Sequence, residues 1–240
     1  MPRFPVKQSQ IKNGQAVISG SDYRHIVKVL RLNVGHNITL FDESGVEYIG
    51  AIAAIEREKI RVAIAESRNV EMESNLNIIL LQGIPKGNKM DFIVEKATEL
   101  GVKTIVPVVT ERSQTRNTRK VERWQRIAIE SSKQCGRIII PNIYTLKNFF
   151  EVIKLNYSNV LRIILHNKSK YNIKYILNND LQSFINIILF VGPEGGFSDE
   201  EIKIAEENGF IPIRLGPRVF RTETAGIVAI SILQYIYGDI

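Results

Sequence analysis

Short apolar runs and turn residues alternate in the first part of the chain. Between Ala16 and about Ala65, runs such as Asn37–Phe41 and Lys59–Ile64 carry β-branched and aromatic residues, and turn dipeptides such as Asn13-Gly14 adjoin them. Short strands joined by tight turns are typical of small all-β domains. The pattern therefore predicts a small β-barrel.

The pattern changes after the polar, non-periodic stretch Ser67–Asn75. Apolar, β-rich runs then alternate with helical patterns, at Leu76–Leu81, Thr104–Val109, Arg162–Leu165, Ile187–Val191 and Pro212–Leu215. Near-continuous apolar runs of this kind favour a parallel sheet that is covered by helices on both faces. We therefore predict two domains, residues 1–70 and residues 71–240, of which the second is α/β.

Capping residues indicate where helices begin and end. Ser198 followed by Glu201 forms a capping box at the start of a helix predicted over Asp199–Asn208, and Gly209 supplies its end. Gly101 likewise ends a helix that begins near Asp91.

Charge and cysteine content narrow the class of protein. The 240 residues include 32 Lys and Arg against 25 Asp and Glu, and the net charge of +7 favours an anionic partner such as nucleic acid. The single cysteine, Cys135, excludes a disulfide framework within one chain and suits a reducing cytoplasm. The longest apolar stretch, Ala225–Tyr237, is too short to cross a membrane and predicts a buried helix.

Two unusual loops follow predicted strands in the second domain. Gly192-Pro193-Glu194-Gly195-Gly196 comes directly after an apolar run, and Leu215–Thr224 contains two arginines, two threonines and a glutamate. In parallel α/β sheets ligands bind beyond the carboxyl ends of strands, and glycines let backbone amides approach a ligand. Each loop alone also fits an ordinary turn or a helix cap, but capping does not explain the arginines. Together the loops predict a ligand site.

Signatures of other cofactor sites are missing from the sequence. A phosphate-binding loop requires G-x-x-x-x-G-K-[ST] and an ordinary dinucleotide site requires G-x-G-x-x-G, and neither occurs. Gly83–Lys89 resembles a phosphate loop only superficially, because its spacing differs. No spacing typical of metal ligands is present, so we expect no metal.

Basic residues cluster between Arg112 and Arg137. Eight lie in this segment against two acidic residues, and Val121, Trp124 and Ala128 recur at helical spacing. One side of such a helix can pack, with Trp124 in the core, while the basic side faces phosphates. A solvated helix face is the alternative interpretation.

The two loops and further motifs resemble the 16S ribosomal RNA uracil-N3 methyltransferase family, one of the knotted SPOUT methyltransferases. The other matching segments run in order through most of the chain: His25–Arg31, Lys86-Gly87 with Met90-Asp91, Lys96–Val102, Thr110–Ser113, and Gln134–Arg137 with Pro141. Phe220 stands where the family usually has leucine. The resemblance implies an α/β protein in which a small N-terminal PUA-like RNA-binding β-barrel precedes a SPOUT domain with a C-terminal trefoil knot.

The resemblance also implies S-adenosylmethionine as the methyl donor, bound among three loops near Leu165-His166-Asn167, Gly192–Gly196 and Leu215–Thr222. The residues implied to bind it are Leu165, Gly192, Pro193, Gly195, Gly196, Leu215, Gly216, Val219, Phe220 and Thr222. Methylation at N3 of uracil requires removal of the N3 proton, so the enzyme must stabilise an anion. Arg221 is the preferred cation for this role, and Glu223 either orients an arginine or acts as the base.

The implied substrate is a uridine of small-subunit ribosomal RNA, either free or in the 30S subunit. The residues implied to contact RNA are Arg24, Lys28, Arg31, Arg112, Arg116, Arg119, Arg123 and Arg137. The family further implies a cytoplasmic homodimer, to which the helix Ala225–Tyr237 contributes an apolar face.

Two alternative functions share these features. A non-catalytic ribosome-assembly factor would use the same RNA-binding surfaces without transferring a methyl group. A knotted methyltransferase that acts on a ribose 2′-hydroxyl would share the methyl-donor site but need a differently placed base.

Overall fold

The computed structural model describes residues 1–42, 44–70, 72–154, 159–175 and 185–240. Its contacts divide the chain into two compact units, Met1–Glu73 with Ser132–Ile140, and Ser74–Ser131 with Pro141–Ile240. In the described part of the chain, no helix is both long enough and apolar enough to cross a membrane.

The first unit is built on a six-stranded sheet. Its strands are β1 Arg3–Pro5, β2 Ile11–Lys12, β3 Gln15–Ser19, β4 Asn37–Phe41, β5 Val46–Glu56 and β6 Lys59–Asn69. They lie in the order β1-β4-β5-β6-β3-β2, with β1 parallel to β4 and the other neighbours antiparallel. A 3₁₀ turn at Gln8–Gln10, helix α1 at Gly20–Arg24 and a π-helical turn at His25–Val29 complete the unit.

Buried aliphatic side chains on one face of this sheet form the core of the first unit. They include Ile38 and Leu40 of β4, Ile52 of β5, and Ile60 and Val62 of β6. Register irregularities in the β5–β6 pairing bend the two longest strands. The sequence predicted a barrel here; among the described residues, the end strands β1 and β2 are not hydrogen-bonded to each other.

The segment Ser132–Ile140 is held in the first unit by two ion pairs. Lys133 Nζ lies 2.7 Å from Asp22 Oδ1, and Arg137 Nη2 lies 2.8 Å from Glu73 Oε2. This segment is distant from residues 1–73 in sequence, so the local pattern does not indicate its place.

The second unit contains a seven-stranded sheet in which every pair is parallel. Its strands are β7 Asn77–Gly83, β8 Thr104–Val109, β9 Asn142–Ile143, β10 Lys147–Asn148, β11 Val160–Leu165, β12 Asn186–Val191 and β13 Ile211–Ile213. The order is β10-β8-β7-β12-β11-β13, and β9 also pairs with β8. The predicted mixed α/β architecture is confirmed.

Five helices of the described chain accompany this sheet. They are α2 Lys89–Glu99, α3 Val121–Cys135, α4 Phe149–Ile153, α5 Asp199–Glu207 and α6 Thr222–Tyr237, and the last four residues of α3 belong to the first unit. The predicted capping box of α5 is present: Ser198 Oγ accepts from Glu201 N at 3.2 Å, and Glu201 Oε2 accepts from Ser198 N at 3.0 Å. Since parallel strands end at one edge, the segments after β7, β11, β12 and β13 converge there.

Candidate active site

A cavity of about 370 Å³ opens where these segments converge, and we call it the loop cavity. It is lined by Lys89, Leu165, Asn167, Val191, Gly192, Pro193, Glu194, Gly196, Val219, Phe220, Arg221, Thr222 and Ala225. All of them belong to the second unit. Residues from four segments that follow strands, far apart in sequence, thus share one space.

Most of the residues expected to bind a methyl donor line this cavity. They are Leu165, Gly192, Pro193, Gly196, Val219, Phe220 and Thr222, and Arg221 lines it with them. Gly195, Leu215, Gly216 and Glu223 are not among the lining residues.

The backbone of the glycine-rich loop explains its composition. A side chain at Gly192 would place its Cβ 3.1 Å from the Phe197 ring and 3.2 Å from Gly196 Cα. Gly196 has φ +65°, and a Cβ there would meet no atom within 4 Å. The loop therefore closes tightly on itself at Gly192, while the lining residue Gly196 has open space around its Cβ position.

Gly195 lies close to a side chain from another loop. A Cβ at Gly195 would lie 3.0 Å from Arg112 Cβ, and Arg112 Nη1 donates to Gly195 O at 3.2 Å. The close neighbour of Gly195 is thus the Arg112 side chain. Arg112, predicted to contact RNA, packs against the glycine-rich loop.

The buried hydroxyl of Thr222 connects three elements at the cavity by hydrogen bonds. Thr222 Oγ1, at the start of α6, donates to Gly192 O at 2.6 Å and accepts from Gln82 Nε2 at 3.0 Å. Gln82 is fully buried at the end of β7. The network fixes the start of α6 against the loop after β12.

Charged side chains gather at one part of the cavity. Lys89 Nζ lies 2.7 Å from Glu194 Oε1 and 3.8 Å from Glu223 Oε2. The hydrogen bond to Glu194 raises the pKa of Lys89. Partial burial alone would raise the pKa of Glu194, but hydrogen bonds from Lys89 and from backbone N–H groups lower it overall. Both groups therefore stay ionised near neutral pH.

Arg221 and Glu223 differ in their surroundings. The Arg221 side chain is exposed, and its guanidinium has no hydrogen-bond partner in the parts of the chain that the structure describes. The Glu223 carboxylate is largely buried, and its Oε2 atom has no hydrogen-bond partner there either.

Several lining residues were not expected from the sequence. Lys89, Val191 and Ala225 line the cavity without having been assigned to it, and Asn167 and Glu194 were noted only as parts of their loops. For Lys89 a signal existed, because Lys86-Gly87 and Met90-Asp91 on either side belong to the family motifs. That motif does not indicate that Lys89 lies close to Glu194, which is 105 positions away in the sequence.

The residues expected to contact RNA fall into two groups. Arg24, Lys28, Arg31, Arg112, Arg116, Arg119 and Arg123 are exposed. Arg137 is 4% exposed and forms the ion pair with Glu73, so burial removes its guanidinium from contact with a phosphate. Trp124 is buried, as predicted, and its Nε1 donates to Asp91 Oδ1 at 3.1 Å.

The described residues show no cluster of metal ligands, and one of their histidines has a shifted pKa. They contain no group of three or more His, Cys, Asp and Glu side chains placed to hold a metal ion. Burial lowers the pKa of His166, which follows β11 beside the lining residues Leu165 and Asn167.

Family models match both parts of the chain. An RNA methyltransferase domain matches residues 72–234, and an RNA methyltransferase PUA domain matches residues 18–65.

Individual relatives extend over the whole chain. Ribosomal RNA small subunit methyltransferase E of Buchnera aphidicola (subspecies Acyrthosiphon pisum) is 36% identical over 244 residues, covering 100% of this chain and 95% of the relative. The Bacillus subtilis protein of the same name is 27% identical and covers 91% and 89%. A crystal structure of the Neisseria gonorrhoeae protein of that name, bound to S-adenosyl methionine, has a TM-score of 0.91 and 33% identity, covering 100% and 99%. The chain belongs to the ribosomal RNA small subunit methyltransferase E family.

Proposed function

We propose that the protein transfers a methyl group from S-adenosylmethionine to N3 of a uridine in 16S ribosomal RNA of the small subunit. The observation that carries this proposal is the loop cavity, which brings together residues from three segments assigned to methyl-donor binding. The Neisseria relative, whose crystal structure contains S-adenosyl methionine, supports the choice of methyl donor.

The residues of the cavity fit this methyl donor. Its volume of about 370 Å³ lies in the range of small-molecule sites. Leu165, Val191, Val219 and Phe220 offer apolar surface to a nucleoside, while the glycine-rich loop offers backbone groups to its polar edges. The open space beside Gly196 is a position that a side chain would occupy. When bound, S-adenosylmethionine supplies an electrophilic methyl group.

The protein's own groups must make the uracil nitrogen nucleophilic. The N3 lone pair becomes available only after the N3 proton leaves, and the resulting anion needs positive charge nearby. We assign Arg221 to this charge because its guanidinium is exposed at the cavity. We assign Glu223 to the same site, with its buried, unpaired Oε2 as a candidate acceptor.

We propose that RNA is held by exposed basic residues in both units. Residues 1–70 would act as the PUA-like RNA-binding domain through Arg24, Lys28 and Arg31, and residues 71–240 as the methyltransferase domain. Arg112, Arg116, Arg119 and Arg123 would contact phosphates. A substrate in the 30S subunit would make the protein cytoplasmic.

We also propose that the C-terminal segment is threaded into a trefoil knot and that the protein is a homodimer. The knot rests on the resemblance to SPOUT methyltransferases. The dimer has additional support from α6, where Ile227, Val228, Ile232 and Ile236 are only half-buried and Tyr235 is 76% exposed. Light scattering should give twice the chain mass of 27.3 kDa; an active monomer would refute the dimer.

Nucleoside mass spectrometry tests the reaction. The purified protein is incubated with S-adenosylmethionine carrying a deuterated methyl group and with 30S subunits or 16S ribosomal RNA from cells that lack this modification. We expect labelled 3-methyluridine. A labelled ribose would instead support a 2′-hydroxyl methyltransferase, and absence of label with retained RNA binding would support an assembly factor.

A further inference from the structure

Lys89, the first residue of α2, brings to the loop cavity a positive charge that the sequence did not assign to it. Among the described residues that line the cavity, Lys89 and Arg221 are the cations. The carboxylate of Glu194 holds the Lys89 ammonium at the cavity through a 2.7 Å hydrogen bond. Glu194 is in turn fixed by the backbone N–H of Lys86 at 3.2 Å.

The Lys89 ammonium retains hydrogen-bonding capacity in this position. Within the described residues its hydrogen-bond acceptor is Glu194, and its 3.8 Å separation from Glu223 Oε2 is longer than a hydrogen bond. Since an ammonium carries three N–H groups, at least one remains for a molecule bound in the cavity.

Glu223 offers the complementary group. Its Oε2 atom is buried without a hydrogen-bond partner in the described part of the chain. Buried acceptors are nearly always paired. Glu223 is not a lining residue, so its carboxylate reaches a ligand in the cavity when the side chain turns towards the lining residue Lys89. A spare N–H and a spare acceptor therefore stand 3.8 Å apart.

The Watson–Crick edge of uracil has the matching groups, because N3–H donates and each adjacent carbonyl oxygen accepts. Building on the proposed function, we propose that Lys89 is a catalytic residue that donates a hydrogen bond to a carbonyl oxygen of the target uracil while Glu223 takes the N3 proton. The N3–H bond breaks and an O–H bond forms on Glu223. The electron pair stays on the base, delocalised over N3 and the carbonyl oxygens, where the Lys89 charge stabilises it.

Lys89→Met tests this role, with Lys89→Arg and Lys86→Met as matched variants. Lys89→Arg keeps the charge, and Lys86→Met removes the same charge from an exposed side chain three positions earlier while it keeps the backbone N–H that fixes Glu194. We expect Lys89→Met to lower kcat by about 100-fold, as for loss of one donor to a developing anion. Lys89→Arg should restore much of this activity, and Lys86→Met should keep the wild-type kcat.

RNA that contains 5-fluorouridine separates stabilisation of the anion from a structural role. Fluorine withdraws electrons and makes N3–H more acidic, so the reaction needs less help from Lys89. The kcat deficit of Lys89→Met should therefore shrink on this RNA. A deficit of equal size on both RNAs would overturn the proposal.

A binding measurement without S-adenosylmethionine gives an independent readout. At a pH below the ionisation of the fluorinated base, wild type should bind 5-fluorouridine RNA more tightly than uridine RNA, because transfer of the N3 proton to Glu223 within the complex is easier for the more acidic base. Lys89→Met should lose this preference. An unchanged kcat with weaker S-adenosylmethionine binding would assign Lys89 to the methyl donor and overturn the proposal.

The proposed function and the Lys89 proposal can fail separately. If the wild-type protein forms no 3-methyluridine, the proposed function fails and the Lys89 role fails with it. If the wild-type protein forms it and Lys89→Met is as active as Lys86→Met, only the Lys89 role is refuted.

Discussion

Arginines in the basic segment and at the loop cavity have the same chemistry but different surroundings. In the basic segment, Arg119 is exposed, whereas Arg137, eighteen positions along, is 4% exposed and paired with Glu73. At the cavity, Arg221 shares one space with Lys89 and Glu194. The charge of an arginine in the sequence therefore does not show whether the residue binds RNA, stabilises the fold or takes part in catalysis. The residues that surround it in the structure distinguish these roles.

The largest expected effect is a loss of stability in Arg137→Ala that Arg119→Ala does not share. Arg137→Ala removes the cation from the largely buried Glu73, which keeps only its hydrogen bonds from the backbone N–H groups of Ile138 and Ile139, and breaking a buried pair costs about 3–5 kcal/mol of unfolding free energy. Urea unfolding should show this loss for Arg137→Ala and almost none for Arg119→Ala. Equal stability of the two variants would contradict the comparison.

For RNA affinity, Arg119→Ala should have the larger effect of the same two variants. Arg119→Ala should weaken binding and lower the slope of log affinity against log salt by about 1, as for one lost phosphate contact. Arg137→Ala, measured where it is still folded, should keep the wild-type slope.

Arg221→Ala should have the next largest effect, which is a loss of catalytic rate. Loss of a cation at a developing anion lowers kcat by about 100-fold or more, while RNA affinity at the remaining contacts is retained. Single-turnover rates at saturating RNA measure this. Intact kcat with weaker RNA or S-adenosylmethionine binding would make Arg221 a binding residue.

A smaller effect is expected from the buried network under the cavity. Thr222→Val removes the hydroxyl that joins Gln82 to Gly192 and leaves buried polar groups unpaired, at a cost of about 1–3 kcal/mol. S-adenosylmethionine binding should weaken as well, because the loops are no longer fixed to each other. The exposed Thr224 gives the matched control, Thr224→Val. Unchanged affinity of folded Thr222→Val for S-adenosylmethionine would show that the network does not support binding in the cavity.

Patterns among neighbouring residues were sufficient to predict much of the fold and to single out the loops Gly192–Gly196 and Leu215–Thr224. β4 and β8 have the predicted bounds, and the capping box of α5 forms as expected, because each depends on residues close in sequence. Leu165, which only the family resemblance assigned to the methyl-donor site, lines the loop cavity. The Gln82–Thr222 hydrogen bond spans 140 positions, and the Lys89–Glu194 contact spans 105, so no local pattern contains them. The helix predicted over Ala225–Tyr237 begins three residues earlier, at Thr222, and retains a half-exposed apolar face.

Calorimetric titration of S-adenosylmethionine into RNA-free protein, wild type and Gly196→Val, tests most directly whether the loop cavity holds the methyl donor. Gly196 lines the cavity, and a side chain there would enter open space. Gly209→Val is the matched control, because Gly209 also has a left-handed backbone with φ +80° and free space, but does not line the cavity. We predict that wild type and Gly209→Val bind S-adenosylmethionine and that folded Gly196→Val does not. Equal binding by all three proteins would contradict the assignment of the cavity.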